Sequence, residues 1–318
     1  MAPTIRLSNG AELPAFGLGT WKSKPGEVRD AVLEAIRAGY RHVDCAWIYG
    51  NEPEVGAALT ELIDGGEVAR DDVWITSKLW NDRHAPEDVE PALRETLAHL
   101  GLRHLDLYLM HWPVALNKGV MVPRAAEEMR SLEDVPLTET WSAMEGLVDA
   151  GLCRTIGVSN FSATKLGEVL DAARIPPAMN QVEMHPYLAQ NDLLAYCRER
   201  DVAVTAYSPL GSRDRPKSMK AEAEPVLLED PAVGEVAAKH AASPAQVLIA
   251  WALRRGTVVI PKSVNAERIR QNLAATELTL DDDDMATIAA LDRHRRYVDG
   301  AFWALEGSSY SVAGLWDE

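Results

Sequence analysis

Residues 73–112, VWITSKLWNDRHAPEDVEPALRETLAHLGLRHLDLYLMHW, contain one complete strand–helix–strand unit. The runs VWITSKLW (73–80) and LDLYLMHW (105–112) have the length and composition of buried strands. The segment between them has helical spacing and ends at Gly101, a residue type that favours helix C-termini. Because a helical crossover of this kind joins parallel strands, the stretch predicts a βαβ unit.

The same alternation continues in both directions along the chain. Eight strand-and-helix units over roughly 250 residues fit a closed (β/α)8 barrel, the TIM barrel. The alternative, an open doubly wound sheet, is weakened because no GxGxxG motif follows any of the strands. The further candidate strands are FGLGTW (16–21), HVDCA (42–46), TIGVSN (155–160), MNQVEMH (179–185), AVTAYSPL (203–210) and VVIPKS (258–263).

A single barrel domain over residues 1–318 is the expected organisation, since no Ser/Gly linker divides the chain. The segment IRLSNGAELP (5–14) predicts an N-terminal β-hairpin around its Asn-Gly pair. Two long loops, at about 114–137 and 212–228, and an extended C-terminal tail at 296–318 fall outside the repeating pattern. Loops of such length are often functional lids.

The composition excludes several classes of function. The formal net charge is −16, so the chain is expected to avoid nucleic acids and anionic membranes. No apolar run approaches membrane-spanning length, and the N-terminus lacks the pattern of a secretory signal. The three cysteines show no CxxC spacing, which favours a reducing compartment and predicts a cytoplasmic protein. Acidic runs such as 281–284 have two interpretations, an ordinary solvated surface or adaptation to high salt.

Chemistry in a barrel of this type is expected at the C-terminal ends of the strands. Four candidate catalytic residues fall there: Asp44, Lys78 and His111 near the ends of three successive strands, and Tyr49 in a following loop. Each of them alone is also compatible with a structural ion pair or with core packing. Their joint occurrence at strand ends favours an active site.

These four side chains have mutually consistent chemistry. Asp44 can supply the carboxylate partner that a buried Lys78 needs. The ammonium of Lys78 is expected to lower the pKa of Tyr49 from about 10, which would make the phenol a better proton donor near neutrality. His111 can donate a hydrogen bond that orients a carbonyl oxygen. The set polarises a carbonyl and delivers a proton, but a cofactor must supply the hydride.

The remaining strand ends predict a seat for that cofactor. Ser159, Asn160 and Gln181 carry hydroxyl and amide groups that suit a carboxamide. Tyr207 can offer its ring face to a flat heteroaromatic group.

Two further segments suit phosphate groups. SPLGS (208–212) has small side chains that let the backbone approach a phosphate. Lys262 and Ser263 at the last strand end, with Arg268 in the helix that follows, suit a phosphate monoester near a helix N-terminus.

At these residues the sequence resembles the aldo-keto reductases, of the NADPH-dependent aldehyde and aldose reductase type. The resemblance covers nearly the whole chain, from residue 16 to the aromatic tail. It implies a (β/α)8 barrel that binds NADPH across its C-terminal mouth and reduces aldehydes and some ketones to alcohols. The motifs that carry it are GYRHVDCAWIYGNEPEVG (39–56), SKLWN (77–81), LDLYLMHWP (105–113), IGVSNF (156–161), NQVEMHP (180–186), AYSPLG (206–211) and IPKSV (260–264).

The resemblance also implies roles for individual residues. Asp44, Tyr49, Lys78 and His111 match the catalytic residues, with Tyr49 as the general acid. Gln271 stands where many members carry an acidic residue. Substrate contacts are implied for Trp21, Trp47, Tyr49, His111, Trp112 and Trp303. Cofactor contacts are implied for Thr20, Trp21, Asp44, Ser159, Asn160, Gln181, Tyr207, Ser208, Leu210, Ser212, Lys262, Ser263, Val264, Arg268, Gln271 and Asn272.

The long loops and the tail take their expected roles from the same resemblance. The loop at 114–137 is expected to contribute to the substrate pocket. The loop at 212–228 is expected to fold as a belt over the cofactor pyrophosphate, the alternative being a mobile solvated loop. In the tail, Phe302 and Trp303 are expected at the pocket rim and Trp316 on the barrel surface.

Two other functions stay open at this point. A class I aldolase would use Lys78 to form a Schiff base, and a non-enzymatic regulatory or structural protein would keep the barrel and the NADPH site without turnover. The expected partners are a small aldehyde or ketone and NADPH/NADP+, with weaker use of NADH. A monomer is expected, with no nucleic acid, membrane or metal partner.

Overall fold

The computed structural model describes residues 3–318 and begins with the predicted hairpin. Strand β1 (Thr4–Arg6) pairs antiparallel with β2 (Glu12–Pro14). Gly10 in the turn has φ 83°, a left-handed conformation that glycine adopts without a steric penalty. Leu13 is buried in an apolar cluster with residues inside the barrel, so the hairpin closes the end of the barrel opposite the C-terminal strand ends.

Eight parallel strands form the barrel, which confirms the predicted fold class. Phe16 and Val259 form a parallel bridge that joins the first barrel strand to the last and closes the sheet. The strands after the hairpin are β3 (Leu18–Gly19), β4 (His42–Asp44), β5 (Trp74–Leu79), β6 (Leu105–Met110), β7 (Ala115–Leu116), β8 (Met129–Arg130), β9 (Cys153–Ser159), β10 (Met179–Glu183), β11 (Ala203–Tyr207) and β12 (Val258–Val259), of which β7 and β8 pair outside the barrel.

Helices surround the barrel, and their ends follow the signals in the sequence. Gly39 and Gly101 end two helices in the left-handed conformation, and Ser243 forms a capping box with Gln246. The helices are α1 (Val28–Ala38), α2 (Glu52–Asp64), α3 (Pro86–Leu100), α4 (Leu137–Asp149), α5 (Ala163–Ala172), α6 (Asn191–Glu199), α7 (Pro231–Lys239), α8 (Pro244–Arg254), α9 (Ala266–Ala274), α10 (Asp282–Ala289) and α11 (Val312–Trp316). Within residues 3–318, no helix is both long enough and apolar enough to cross a membrane.

The acidic run at 281–284 has a local structural role. The Asp281 side chain caps the N-terminus of α10, where negative charge is favoured by the helix dipole. Lys239 pairs with Asp281 at 2.6 Å and with Asp284 at 2.8 Å. These contacts favour the interpretation of the run as ordinary surface structure.

An aromatic cluster joins the loop after β6 to the C-terminal tail. Leu116 of β7 packs in this cluster with Trp80, Trp112 and Trp303. Trp316 of α11 is buried in it and lies edge-on to Trp112, with ring centroids 5.9 Å apart. Trp316 thus docks on the barrel through its contact with Trp112.

Candidate active site

A cavity of about 1230 Å³ opens at the C-terminal ends of the barrel strands. It is long rather than round: Trp80 and Trp303 line one end, and Arg268 and Asn272 of α9 line the other. The site predicted from the strand ends is thus one continuous cleft. Its volume exceeds the usual range for a single drug-sized ligand, about 300–1000 Å³, and fits two ligands or one extended ligand.

A buried ion pair lies beneath the centre of the cavity. The Nζ atom of Lys78 is 2.8 Å from Oδ2 of Asp44 and donates a second hydrogen bond, of 2.7 Å, to the carbonyl oxygen of Cys45. Gln181 Nε2 donates to the other carboxylate oxygen of Asp44 at 2.8 Å. Lys78 is only 1% exposed, so both charges depend on these partners. The network therefore fixes the ammonium at one position below the cavity.

Tyr49 stands above this ion pair, at the end of the short helical turn that follows β4. The Lys78 Nζ atom lies 5.3 Å from the centre of the Tyr49 ring. Burial, and secondly the Asp44 carboxylate, nevertheless hold the pKa of Tyr49 well above its usual value. The expectation of a lowered pKa is therefore wrong for this arrangement, because burial of the phenol, and secondly the Asp44 carboxylate, outweigh the attraction of the Lys78 ammonium for a phenolate. The phenol is held in its protonated form, as a proton donor requires.

His111 faces Tyr49 across the same part of the cavity. The two ring centroids are 6.0 Å apart in an edge-on arrangement, and Trp80 contacts the imidazole from another side at 5.1 Å. Burial, the charge of Lys78 and the neighbouring His84 hold the pKa of His111 well below its usual value. The imidazole is therefore neutral, and its single N–H group can donate to a carbonyl oxygen.

These two pKa shifts predict a flat pH profile. The Tyr49 pKa lies above 10.0, so the phenol stays protonated as pH rises to that value, and the His111 pKa lies below 6.5, so the imidazole stays neutral as pH falls to it. We expect kcat for carbonyl reduction to vary by no more than about twofold between these limits. Stopped-flow measurement of the chemical step across this range is the check, and a titration with its midpoint inside the range would contradict the assignment.

The predicted carboxamide seat is tied to the catalytic centre by hydrogen bonds. Asn160 donates to the His111 carbonyl oxygen at 2.9 Å and accepts from the Tyr207 hydroxyl at 2.7 Å. Ser159 donates to the Gln181 carbonyl oxygen at 2.8 Å. Ser159, Asn160, Gln181 and Tyr207 all line the cavity together with His111. Their polar atoms are thereby held in place beside the proton donor.

The loop at 212–228 crosses the middle of the cavity and contacts the opposite wall. Lys22 donates to Ser212 Oγ at 2.8 Å and to the Asp214 carboxylate at 2.6 Å. Lys262 lies 3.6 Å from the same carboxylate. The start of this loop is therefore held between Lys22 and Lys262, and its role as a belt over the cofactor pyrophosphate stays a prediction.

The far end of the cavity has the features of a phosphate site. Lys262 and Ser263 line it together with Arg268 and the N-terminal turn of α9, whose Asn265 side chain caps the helix. In the part of the chain that the structure describes, Arg268 forms no ion pair within 4.0 Å. Two cations beside a helix N-terminus, in a chain of net charge −16, fit an anionic group. Val264, Gln271 and Asn272 complete this end.

The opposite end of the cavity is aromatic. Trp21, Trp112 and Trp303 line it together with Tyr49 and His111. Trp47 does not line the cavity, since its indole N–H donates to Glu95 of α3 at 3.0 Å. Trp47 instead packs against the aromatic cluster of Trp80 and Trp112 behind the cavity wall, and its substrate contact stays a prediction.

Sequence reasoning missed several residues that line the cavity. Trp80 was within reach of prediction, since it follows Lys78 by two positions and alternation in a strand repeats every second residue. Lys22 and Asp214 are 192 residues apart, and no local pattern indicates that they meet. Phe302 was expected at the rim and does line the cavity, whereas its neighbour Val298 was missed.

Comparisons with known proteins identify the family of this chain. The model of the aldo/keto reductase family matches residues 14–293. An aldo/keto reductase of Synechocystis sp. is 55% identical over 312 residues, which cover 98% of this chain and 95% of that protein. Aldo-keto reductase family 1 member A1 of Mus musculus is 49% identical, over 93% of this chain and 91% of that protein.

A solved structure of an aldose reductase has the same fold as this chain. The aldose reductase from Schistosoma japonicum superposes with a TM-score of 0.87 at 38% sequence identity, covering 98% of this chain and 100% of that one. Both the sequence match and the structural match extend over 98% of this chain. The chain therefore belongs to the aldo/keto reductase family and is a carbonyl-reducing oxidoreductase.

Proposed function

We propose that this chain reduces aldehydes, and some ketones, to alcohols with NADPH, and that Tyr49 is the general acid. The observation that carries the proposal is the placement of a protonated Tyr49 phenol and a neutral His111 imidazole above the Lys78–Asp44 pair. NADPH, when bound, supplies a hydride to the carbonyl carbon. The protein supplies the proton and the orientation.

Each of the four residues has a distinct part in this scheme. His111 donates a hydrogen bond to the carbonyl oxygen and aims it at Tyr49. The Tyr49 hydroxyl gives its proton to that oxygen as negative charge develops on it, since an alkoxide is more basic than a phenolate. Lys78 stabilises the phenolate that remains, and Asp44 holds Lys78 in position.

The residues that line the cavity fit the proposed cofactor. The hydrogen-bonded side chains of Ser159, Asn160 and Gln181 would hold a carboxamide beside Tyr49, and Tyr207 would face the ring. Lys262 and Arg268 would hold the 2′-phosphate that distinguishes NADPH from NADH. We therefore propose preference for NADPH, with weaker use of NADH.

Replacing Arg268 tests this preference. Arg268→Ala removes a guanidinium that would bind only the 2′-phosphate, so we expect the Kd for NADPH to rise roughly 10- to 100-fold and the Kd for NADH to change less than about threefold. Titration of intrinsic fluorescence measures both constants. Arg270→Ala is a matched control on the same helix, because Arg270 pairs with Glu34 away from the cavity. Equal weakening of both cofactors would contradict the role of Arg268.

The rival functions are less well supported by the geometry. An aldolase needs a free amine that a substrate carbon can reach, whereas Lys78 is 1% exposed and engaged by Asp44 and Cys45. A non-enzymatic protein has no need to preserve the arrangement around Tyr49. A monomer in the cytoplasm stays our prediction, and the three buried free cysteines agree with a reducing compartment.

A substrate panel tests the proposal as a whole. Purified protein is mixed with NADPH or NADH and with aliphatic, aromatic and sugar aldehydes, and cofactor oxidation is followed by absorbance. We expect turnover with NADPH and at least one aldehyde class. Absence of NADPH oxidation with every aldehyde would overturn the proposed function.

A further inference from the structure

A buried carboxylate binds the start of the C-terminal tail, just before the tail passes over the cavity. Glu183 is the last residue of β10, and its side chain is 0% exposed. Its Oε1 accepts a hydrogen bond from the backbone N–H of Tyr297 and its Oε2 accepts one from that of Val298, each at 2.7 Å. The ring of His185 contacts Oε1 at 2.7 Å on the other side. One side chain of the barrel thus binds two consecutive backbone groups of the tail.

The tail segment beyond this point forms the aromatic wall of the substrate end. The Val298 side chain lines the cavity, and Phe302 and Trp303 follow within five residues. Trp303 packs against Trp80, with ring centroids 5.8 Å apart. Since the tail forms no strand among the described residues, its course over the cavity depends on side-chain contacts such as those of Glu183.

The hydrogen bonds of Glu183 are of the strong kind. A carboxylate that accepts from backbone N–H groups makes bonds roughly twice as strong as those between neutral groups. Burial opposes ionisation of Glu183, but the contact with His185 and the two backbone N–H groups outweigh it and lower the pKa of the carboxyl. The group is therefore a charged, fixed anchor at neutral pH.

We propose that Glu183 is a positioning residue that sets the width of the substrate end, and hence the preference for bulky over small aldehydes. Glu183 does not line the cavity itself, and its backbone lies beside that of Tyr207 in the sheet. It acts through Val298, Phe302 and Trp303. The point at which the tail passes over the cavity sets the distance between these side chains and the opposite cavity wall. This inference rests on the proposed function, since it concerns the substrate of the same site.

The chain offers a matched control on its outer wall. Glu145 of α4 is also buried, and its Oε1 accepts from two consecutive backbone N–H groups, those of Arg174 at 2.7 Å and Ile175 at 2.8 Å. That segment lies after α5 and does not line the cavity. Glu145→Gln therefore removes the same kind of anchor without touching the tail.

The experiment compares KM and kcat for propanal and for biphenyl-4-carbaldehyde with NADPH. We expect Glu183→Gln to raise the KM for the bulky aldehyde roughly tenfold, while kcat for both and the KM for propanal change less than about twofold. Glu183→Asp keeps the negative charge on a shorter side chain, so the ratio of the two KM values should lie between those of the wild-type chain and of Glu183→Gln. The same variant replaces Glu183→Gln in the test if Glu183→Gln fails to fold. Glu145→Gln should leave the ratio of the two KM values unchanged.

A second measurement does not depend on activity. Chymotrypsin should cleave the tail at Phe302 faster in Glu183→Gln than in the wild-type chain or in Glu145→Gln. The reason is that weaker hydrogen bonds to Tyr297 and Val298 leave the tail segment over the cavity more mobile. An unchanged KM ratio, an equal effect on both aldehydes or an unchanged cleavage rate would each show that Glu183 is only structural and would overturn the proposal. If instead the wild-type chain oxidises NADPH with neither these nor other aldehydes, the proposed function itself is wrong.

Discussion

Tyr49→Phe should reduce kcat for aldehyde reduction on the order of 10³-fold while leaving the Kd for NADPH unchanged. The substitution keeps the aromatic ring that packs against Trp21 and His111. It removes the hydroxyl, which is the only group of this side chain that can donate a proton. A positioned general acid contributes about 10²–10⁴-fold to a rate, and the substitution removes that contribution entirely. Single-turnover kinetics with bound NADPH measure the chemical step, and fluorescence titration measures binding.

Tyr40→Phe is the control for this substitution. Tyr40 is a buried tyrosine whose hydroxyl donates to the Ile269 carbonyl oxygen at 2.9 Å, away from the cavity. Its replacement should lower stability modestly and leave kcat within about twofold, since a lost buried hydrogen bond costs about 1 kcal/mol. If Tyr49→Phe kept more than about a tenth of wild-type kcat, another group would be the proton donor.

Lys78→Met should damage both stability and turnover. The substitution leaves the Asp44 carboxylate buried without its cation, and breaking a buried pair in this way costs about 3–5 kcal/mol of unfolding free energy. We also expect kcat to fall on the order of 10²-fold or more, because no cation remains to stabilise the Tyr49 phenolate. Urea denaturation and single-turnover kinetics are the two measurements.

The double substitution Asp44→Asn with Lys78→Met separates the two effects. Removing both charges should recover most of the lost stability, since no unpaired carboxylate remains, but should recover none of the lost turnover. Arg94→Met is a comparison on the surface: its pair with Glu90 is exposed, so we expect a loss below about 1 kcal/mol and no change in kcat. Turnover restored by the double substitution would contradict the role given to Lys78.

Lys78 also distinguishes reduction from aldolase chemistry. If Lys78 formed a Schiff base, borohydride would trap a covalent adduct with an aldehyde substrate on the wild-type chain. We expect no adduct at Lys78, because its amine is engaged by Asp44 and the Cys45 carbonyl oxygen.

Most of the fold and most of the site were predictable from local sequence patterns. The alternation of short apolar runs with helical segments identified the barrel strands, and parallel strands that close into a barrel necessarily bring their C-terminal ends to one mouth. The sequence alone therefore predicts that Asp44, Tyr49 and His111 lie close together. Period-two alternation would also have found Trp80, which was missed.

Other features depend on segments that are distant in the chain. The contact of Lys22 with Asp214 joins residues 192 positions apart, and the hydrogen bond from Tyr297 to Glu183 joins residues 114 positions apart. Neither contact is therefore indicated by a local pattern in the sequence. The orientation of Trp47 was decided by one hydrogen bond to Glu95 on a helix that follows a different strand.

The sequence by itself determined the barrel, the residues at its mouth and the reaction that they suit, because periodicity and strand-end placement are local properties of the chain. Only the tertiary structure decided the protonation states at the centre. The pKa of Tyr49 is raised rather than lowered, because burial and the Asp44 carboxylate outweigh a lysine whose charge is already paired. That balance depends on depth and distance in three dimensions, which no spacing of residues along the chain can give.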